Sequence, residues 1–342
     1  MLPHYCFNSS TNKDVISVST IHLFGGGPLV PVVADLAIQA GWGLVWRTSP
    51  RLASSAELPP NEAASGPFCH ERLADVMRLG KFPNHPADFA ISLGSPWIFS
   101  PAWLEQWGNR ALNLHSTPLP RHRGGGGGSW QVLMQDNAGA ATLHVLTAGI
   151  DEGPIVAQTK FNYSLPMTAS SWSMETLEAS KSLLRLHLPE VLAQEFNDFP
   201  QASGPALHWP RLNTEVHGWI NWSWPGASIL DFVNAFGPPH LGALTLLRGL
   251  KVSLLEALRF SDEKFHPFQS GIVVDQSPDY LLIATSDGLL RIRGDWNAAL
   301  SYVGDRFYTP PEKIHSALAT RAYISPAGKW SFRRADRRDD WE

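Results

Sequence analysis

Short apolar runs alternate with stretches of helical periodicity through the first half of the chain. The runs that predict strands cover residues 15–24, 43–46, 89–93, 111–114 and 143–146. Residues 29–40 and 164–192 instead carry apolar side chains three and four positions apart, which is the spacing of an amphipathic helix. Because strands that alternate with helices favour βαβ units, we predict an α/β domain with a Rossmann-like, mostly parallel sheet.

The second half of the chain has a different pattern. A segment rich in Pro and Gly at residues 198–205 predicts a linker. A helical stretch follows, and then come short β-like runs with turn residues between them, at residues 243–247, 251–255, 271–274, 280–285 and 289–293. This pattern predicts a small barrel. We therefore expect an α/β domain over residues 1–203, an OB-like barrel domain over 204–310, and a charged, solvated tail over 311–342.

Polar residues stand where one predicted strand ends. Asn113 and His115 are two positions apart, so their side chains point to the same face of a strand. Ligands of parallel α/β sheets bind beyond the carboxyl ends of the strands. Asp151 lies just before a Gly-Pro turn that can bring it back against the other two. An amide that polarises a carbonyl, an imidazole that moves a proton and a carboxylate that holds the imidazole predict an acyl-transfer site.

Two segments around these residues resemble a known family. Residues 113–124 are Asn-Leu-His-Ser-Thr-Pro-Leu-Pro-Arg-His-Arg-Gly, and residues 149–155 are Gly-Ile-Asp-Glu-Gly-Pro-Ile. This pattern resembles the folate-dependent formyltransferases, which include methionyl-tRNA and nucleotide-sugar N-formyltransferases. The resemblance is close over residues 85–160 and loose elsewhere. The segment at 218–222 and the helix after it are similar to the C-terminal domain of several members.

The resemblance implies a donor and a set of site residues. It implies N10-formyltetrahydrofolate as co-substrate and no metal, and it assigns catalysis to Asn113, His115 and Asp151. Whether His115 or Asp151 takes the proton of the amine stays open at this point. The loops that enclose the pterin in the family correspond here to Ser95, Pro96, Trp97, Thr117, Pro118, Leu119, Pro120 and Gly149. Pro118 stands where the family usually has a leucine, and Trp97 is bulkier than the residue of many relatives.

The amine acceptor is predicted from charge and from a resemblance of residues 123–131 and 208–214 to the sugar N-formyltransferases. The 342 residues carry a formal net charge of −4, which provides no global basic field for a polyanion such as tRNA. A sugar nucleotide needs only a diphosphate contact, a base-stacking aromatic residue and partners for the sugar hydroxyls. The glycine run at 124–128 is expected to let the backbone pass close to this substrate. The residues that supply these features are Arg123, Gly124, Trp130 and Arg211. We favour a nucleotide-linked amino sugar over methionyl-tRNA, with formyltetrahydrofolate hydrolysis and catalytically silent binding as further alternatives.

Three other histidines and a glycine run have simpler interpretations. His22 lies inside the first predicted strand and is expected to be a satisfied core residue. His122 and His144 are expected to be structural or to line the substrate site. The three glycines at 25–27 predict a tight strand-to-helix turn and not a nucleotide loop, because Val30 stands where that loop needs another glycine.

The remaining features concern the cellular compartment. Cys6 and Cys69 are too few for a disulfide framework, so free thiols in a reducing compartment are expected. Residues 1–14 have no secretory pattern, and no apolar run approaches the roughly 20 residues that span a bilayer. We expect a cytoplasmic protein without membrane contact, and the sequence allows a homodimer.

Overall fold

The structure is a computed structural model that describes residues 19–78, 83–295, 303–324 and 330–335. The predicted thiol of Cys6 and the first part of the first predicted strand, residues 15–18, lie outside the described residues. Within the described ranges, no helix is both long and apolar enough to cross a membrane.

Seven strands form the sheet of the N-terminal domain. They are β1 Thr20–Gly25, β2 Gly43–Thr48, β3 Ala64–Cys69, β4 Phe89–Leu93, β5 Ala111–His115, β6 Ala138–Val145 and β7 Ile155–Asn162. Their order is β3-β2-β1-β4-β5-β6-β7; β1 to β5 pair in parallel, whereas β6 and β7 are antiparallel. The predicted mostly parallel sheet is confirmed. Strands β3 and β7 were not predicted, because small and polar residues interrupt their apolar runs.

Five helices accompany this sheet: α1 Val30–Gln39, α2 Leu73–Met77, α3 Pro101–Glu105, α4 Gly127–Met134 and α5 Ala169–Leu192. Helix α5 begins later than residue 164, the predicted start, because Thr168 caps it. The Thr168 hydroxyl accepts from the amide of Ser171 at 3.1 Å, and the Ser171 hydroxyl accepts from the amide of Thr168 at 2.9 Å. The apolar faces of α1 and α5 share one core with the central strands.

The turn after β1 and the surroundings of His22 agree with the predictions from sequence. Gly25 ends β1, and α1 follows within a few residues, so the predicted strand-to-helix turn is confirmed. His22 is buried; its Nδ1 accepts from Arg47 at 2.9 Å, and its Nε2 lies 3.4 Å from the carboxylate of Asp88. His22 is therefore a satisfied core histidine, as predicted.

The C-terminal domain combines two helices with an antiparallel sheet. Its elements are α6 Thr214–His217, α7 Gly226–Phe236, β8 Ala243–Leu247, β9 Leu250–Ser261, β10 Val273–Gln276, β11 Leu281–Thr285, β12 Gly288–Asp295 and β13 Phe307–Tyr308. The sheet order is β10-β11-β12-β9-β8-β13. The amide of Val273 donates to the carbonyl of Asp305, and the amide of Phe307 donates to that of Gly271, both at 2.8 Å. These bonds connect the segments of the two edge strands, β10 and β13, so the predicted smaller barrel-like domain is confirmed.

The chain after Pro310 is not simply a solvated tail. Helix α8 Pro311–Ala319 leads into a hairpin of β14 Thr320–Ile324 and β15 Trp330–Arg334. Ala322 on β14 forms a backbone bridge with Arg211, and His217 Nε2 lies 2.9 Å from the carbonyl oxygen of Thr320. Charge alone predicted an exposed end, whereas backbone pairing with distant segments folds it. Residues 336–340 of the charged run lie outside the described residues, and the boundaries at 203 and 310 stay predictions.

The linker between the domains lies on the glycine run of residues 124–128. The amide of Arg123 donates to the carbonyl of Leu207 at 2.9 Å, and the amide of Trp209 donates to that of Arg123 at 3.0 Å. A methyl group on Gly124 would lie 2.7 Å from the carbonyl oxygen of Trp209, and one on Gly126 would overlap the linker backbone at Pro210. The sequence predicted that substrate requires these glycines; at 124 and 126 the close neighbour is instead the linker.

We expect the substitution Gly126→Ala to destabilise the protein by about 1–3 kcal/mol, because the added methyl group forces the linker backbone away. Thermal or urea unfolding of the variant measures this change. Gly204→Ala is the matched control, since Gly204 lies in the same linker with open space at its Cβ position. A Gly126→Ala protein as stable as the control would contradict the docking of the linker.

Candidate active site

The three predicted catalytic residues meet at the carboxyl end of β5. Asn113 and His115 are the third and fifth residues of this strand. Asp151 lies in the loop between β6 and β7, where its φ of 54° gives a sharp turn toward the strand. His115 Nδ1 and Asp151 Oδ2 are 3.5 Å apart, and each side chain is only slightly exposed. Asp151 comes 36 positions after His115 and 38 positions after Asn113 in the sequence, and the fold brings the three residues together.

The hydrogen bonds of His115 define which nitrogen is basic. Its Nε2 lies 2.7 Å from the carbonyl oxygen of His122 and 2.6 Å from the hydroxyl of Thr117. Because a carbonyl oxygen only accepts, Nε2 carries a hydrogen and donates. In the neutral ring, the lone pair is then on Nδ1, which faces Asp151. Burial lowers the pKa of His115 below the usual 6.5 although Asp151 opposes this change, so the ring is neutral at pH 7.

Asp151 is held as a carboxylate. The amide of Gly124 donates to Oδ2 at 2.8 Å, and His144 Nε2 lies 3.5 Å from Oδ1. Burial by itself raises the pKa of Asp151, but His144 and His115, when they are protonated at acid pH, and the Gly124 amide together outweigh burial and bring this pKa well below its usual range. Asp151 is thus ionised at neutral pH and is a weak base.

His144 has a larger part in the site than the sequence predicted. Its Nδ1 lies 2.9 Å from the carbonyl oxygen of Val145, so Nδ1 donates and Nε2 is left to accept from Asn113 Nδ2 at 3.1 Å. This bond fixes the direction of the Asn113 amide and leaves its second N–H for a ligand. The pair forms because β5 and β6 place Asn113 directly opposite His144.

Arg123 does not line the cleft, in contrast to its predicted contact with substrate. Its guanidinium donates to the Gln201 side chain at 2.7 Å and pairs with Glu152 at 3.3 Å. Gln201 in turn donates to the backbone carbonyls of Asp151 at 2.7 Å and Gly153 at 2.9 Å. Arg123 and Gln201 therefore position the Asp151 loop. Gln201 was not predicted, since nothing local in the sequence links it to that loop.

A cleft of about 1440 Å³ opens in front of the catalytic residues. Single small-molecule sites usually measure roughly 300–1,000 Å³, so this cleft has room for two ligands. One part of its wall is formed by the loops after β4 and β6. Another part is formed by the start of α4, the linker, α7 and the hairpin after α8.

The predicted donor-binding residues divide into two groups. Those that line the cleft are Ser95, Pro96, Trp97, Thr117 and Gly149. Pro118, Leu119 and Pro120 are not part of the lining, and Leu119 is buried. The chain turns inward there: the amide of His122 donates to the carbonyl of Pro118 at 3.0 Å, which brings the His122 carbonyl under His115.

The other predicted acceptor residues, Gly124, Trp130 and Arg211, do line the cleft. Trp130 stacks on Trp209 with ring centroids 5.0 Å apart, and the Arg211 guanidinium lies over Gly125. Arg51 also lines the cleft, on the 3₁₀ turn Pro50–Leu52 after β2. Burial and the charge of Arg51 lower the pKa of Arg211, while Asp151 raises it. Arg211 therefore lies within electrostatic reach of both.

Comparison with known proteins gives a consistent result. Residues 50–187 match the family described as formyl transferase, and residues 214–294 match formyl transferase, C-terminal domain. WlaRD, a sugar 3N-formyltransferase solved with dTDP and 5-N-formyl-THF, is 16% identical with a TM-score of 0.61, over 82% of this chain and 99% of its own. The N-formyltransferase from Helicobacter canadensis, solved with folinic acid and dTDP-3-aminofucose, is 14% identical with a TM-score of 0.58, over 82% and 100%.

HypX from Aquifex aeolicus is similar as well, with 21% identity and a TM-score of 0.55 over 81% of this chain, although the match spans only 45% of HypX. At these identities the solved structures establish a shared fold. The family matches cover both domains in the same order as the structure has them. The chain thus belongs to the formyltransferase family and is an enzyme of the formyl-transfer class.

Proposed function

We propose that this enzyme transfers the formyl group of N10-formyltetrahydrofolate, the formyl donor of its family, to the primary amine of a nucleotide-linked amino sugar. The observation that carries the acceptor class is the pair of Arg51 and Arg211 in the cleft, within electrostatic reach of each other and of Asp151. The ligands of two relatives, dTDP and dTDP-3-aminofucose, support the same acceptor class.

The cleft wall beside Asn113 fits a folate donor. Ile98 and Ile150 both line the cleft and are 73% and 47% exposed. Large apolar side chains left open in a concave site suit a flat ring that covers them, while the backbone of the two loops provides polar groups for its edge. When bound, the donor supplies the formyl carbon that the amine attacks.

Asn113 stabilises the charge that develops during this attack. One N–H of its amide donates to His144, and the other is directed by that bond toward a ligand in the cleft. An N–H held in this way donates to the formyl oxygen as negative charge develops there. A single oxyanion donor of this kind typically lowers the activation barrier by about 3–4 kcal/mol.

His115 is the better base of the two candidates. Its Nδ1 carries a free lone pair, whereas Asp151 has a pKa far below its usual range and does not retain a proton at neutral pH. The amine therefore gives its proton to His115 Nδ1, and the Asp151 carboxylate at 3.5 Å stabilises the imidazolium. The formyl carbon bonds to the amine and forms a tetrahedral oxyanion; as this intermediate collapses, the bond from the carbon to N10 breaks, and N10 takes the proton that His115 received, which restores the neutral imidazole. The products are the formamide and tetrahydrofolate.

The arginine pair provides for an anionic acceptor. Among the described residues, no carboxylate lies within ion-pair distance of Arg51 or Arg211. Two cations placed near each other repel, so the fold gains nothing from this arrangement by itself. A diphosphate removes the repulsion and accepts charge-assisted hydrogen bonds from both guanidinium groups. Since Arg211 also lies near Asp151, a phosphate held there keeps the attached sugar amine beside His115.

We expect Asn113→Ala to lower kcat about 10²- to 10³-fold, because the developing oxyanion loses its donor. Steady-state kinetics with mass detection of the formamide measures this loss, and an unchanged unfolding midpoint shows that the fold is intact. Asn197→Ala, an exposed amide outside the cleft, is the matched control. Normal turnover of Asn113→Ala would remove Asn113 from the mechanism.

The pH profile tests the role of His115. Protonated His115 is not a base, so kcat/KM should rise with pH through its pKa, which burial places below 6.5. Asp151→Asn removes the charge that raises this pKa, so the acid limb should move to lower pH while the maximal rate falls. Both profiles are measured with the same acceptor, so the titration of its amine affects the two profiles equally. An acid limb that stays in place after the substitution would contradict the assignment.

Substitution of the arginine pair tests the acceptor. Arg51→Ala and Arg211→Ala should each raise KM for a nucleotide-linked amino sugar about 10-fold or more, because a charge-assisted contact is lost. KM for the folate should change little, and Arg185→Ala on the exposed side of α5 should change neither. Formylation of methionyl-tRNA that falls steeply with salt, without turnover of any amino sugar, would instead identify tRNA as the acceptor.

A further inference from the structure

The cleft extends beyond the catalytic residues onto one face of α7. Ser228, Asp231 and Phe232 line it, and their spacing of three and four positions places them on one side of the helix. Ile229 and Val233 on another side pack into the core of the barrel domain. The catalytic domain and the barrel domain therefore both contribute side chains to the same cleft.

Asp231 is a carboxylate without a partner. Among the described residues, no hydrogen-bond donor or cation lies within bonding distance of it, and burial raises its pKa to about 6. Asp287, near the start of the same helix, shows the contrast. It accepts from the amide of Gly226 and from the hydroxyl of Thr285, and its pKa is lowered. A half-buried carboxylate that lines the cleft and is bonded to none of the described residues can accept hydrogen bonds from a ligand there.

Aromatic side chains line the same cleft as Asp231. Trp172 and Trp224 line the same cleft, and Trp224 meets Phe232 edge to face with centroids 5.2 Å apart. A cleft that holds indole faces together with a carboxylate and the Ser228 hydroxyl suits a nucleoside, because the base can pack on an indole and the sugar hydroxyls can donate to the carboxylate. A cationic ligand is a poorer match, because two arginines, Arg51 and Arg211, line the same cleft, and neither forms an ion pair with a carboxylate of the described residues.

The residues that we assign to acceptor binding contact successive positions of the glycine run 124–128. The Gly124 amide donates to Asp151, Gly125 lies under the Arg211 guanidinium, and Gly128 is in contact with the ring of Trp172. Four residues span at most about 14 Å. The order is that of a sugar nucleotide, in which the amine, the diphosphate and the nucleoside follow one another.

We propose that Asp231, with Ser228 on the same face of α7 and the indoles of Trp172 and Trp224 in the same cleft, forms the nucleoside site of the acceptor and binds the hydroxyls of its ribose or deoxyribose. This inference rests on the proposed function, since it requires a nucleotide-linked acceptor. It assigns to the barrel domain the recognition of the nucleoside, whereas Arg51 and Arg211 hold the diphosphate.

Isothermal titration of the 342-residue chain tests this site with UDP, which has 2′- and 3′-hydroxyls, with dTDP, which has the 3′-hydroxyl only, with the 2′,3′-dideoxy form of each, and with inorganic pyrophosphate. In the unmutated protein, loss of the ribose hydroxyls should weaken binding about 10-fold or more. Asp231→Asn should weaken dTDP and UDP by a similar factor, leave pyrophosphate unchanged, and bind the dideoxy forms as the unmutated protein does. Asp279→Asn, an exposed carboxylate of the barrel domain, is the matched control.

The outcomes separate the two proposals. If dTDP and UDP bind equally well to the unmutated protein and to Asp231→Asn, the nucleoside site is overturned while the nucleotide acceptor stands. If neither the nucleotides nor pyrophosphate bind to the unmutated protein, the nucleotide acceptor itself is overturned, and the nucleoside site with it. Since Asp231 has no partner within the part of the chain that the structure describes, the Asn variant should fold, and its unfolding midpoint verifies this.

Discussion

The carboxylate of Asp151 joins three segments of the chain, and the geometry of the site depends on it. It accepts from the backbone of Gly124 in the loop before α4, faces His115 at the end of β5, and lies 3.5 Å from His144 on β6. Its loop is held from behind by Gln201 of the linker. Through these contacts the largely buried Asp151 and its loop fix the positions of the base His115, of the glycine run and of the domain linker relative to one another.

The linker makes the two domains one functional unit. It pairs with Arg123, lies over Gly124 and Gly126, and presents Trp209 and Arg211 to the cleft. Its indole N–H at Trp209 donates to His122 at 3.0 Å, the residue whose carbonyl holds His115. The same segment that connects the domains thus supports the catalytic histidine and forms the wall where we expect the acceptor to bind.

Much of the catalytic arrangement followed from local sequence. Alternation of strands and helices predicted the α/β sheet, and the two-residue spacing of Asn113 and His115 at a strand end predicted that both face the cleft. Asp151 beside a Gly-Pro turn completed the set. These signals are visible in sequence because each depends on neighbouring residues in one strand or one turn.

The contacts that tune the site came only from tertiary structure. The bond from Asn113 to His144 depends on the register of β5 and β6, and the loss of Arg123 from the cleft depends on Gln201, 78 residues away. The glycine run could be recognised as a close approach, but the approaching chain lies more than 80 residues later. By itself the sequence determined which chemical groups the protein has and which strand end carries them. Only long-range packing decided which of those groups reach the ligand and which hold the others in place, because pairing across the chain has no local pattern.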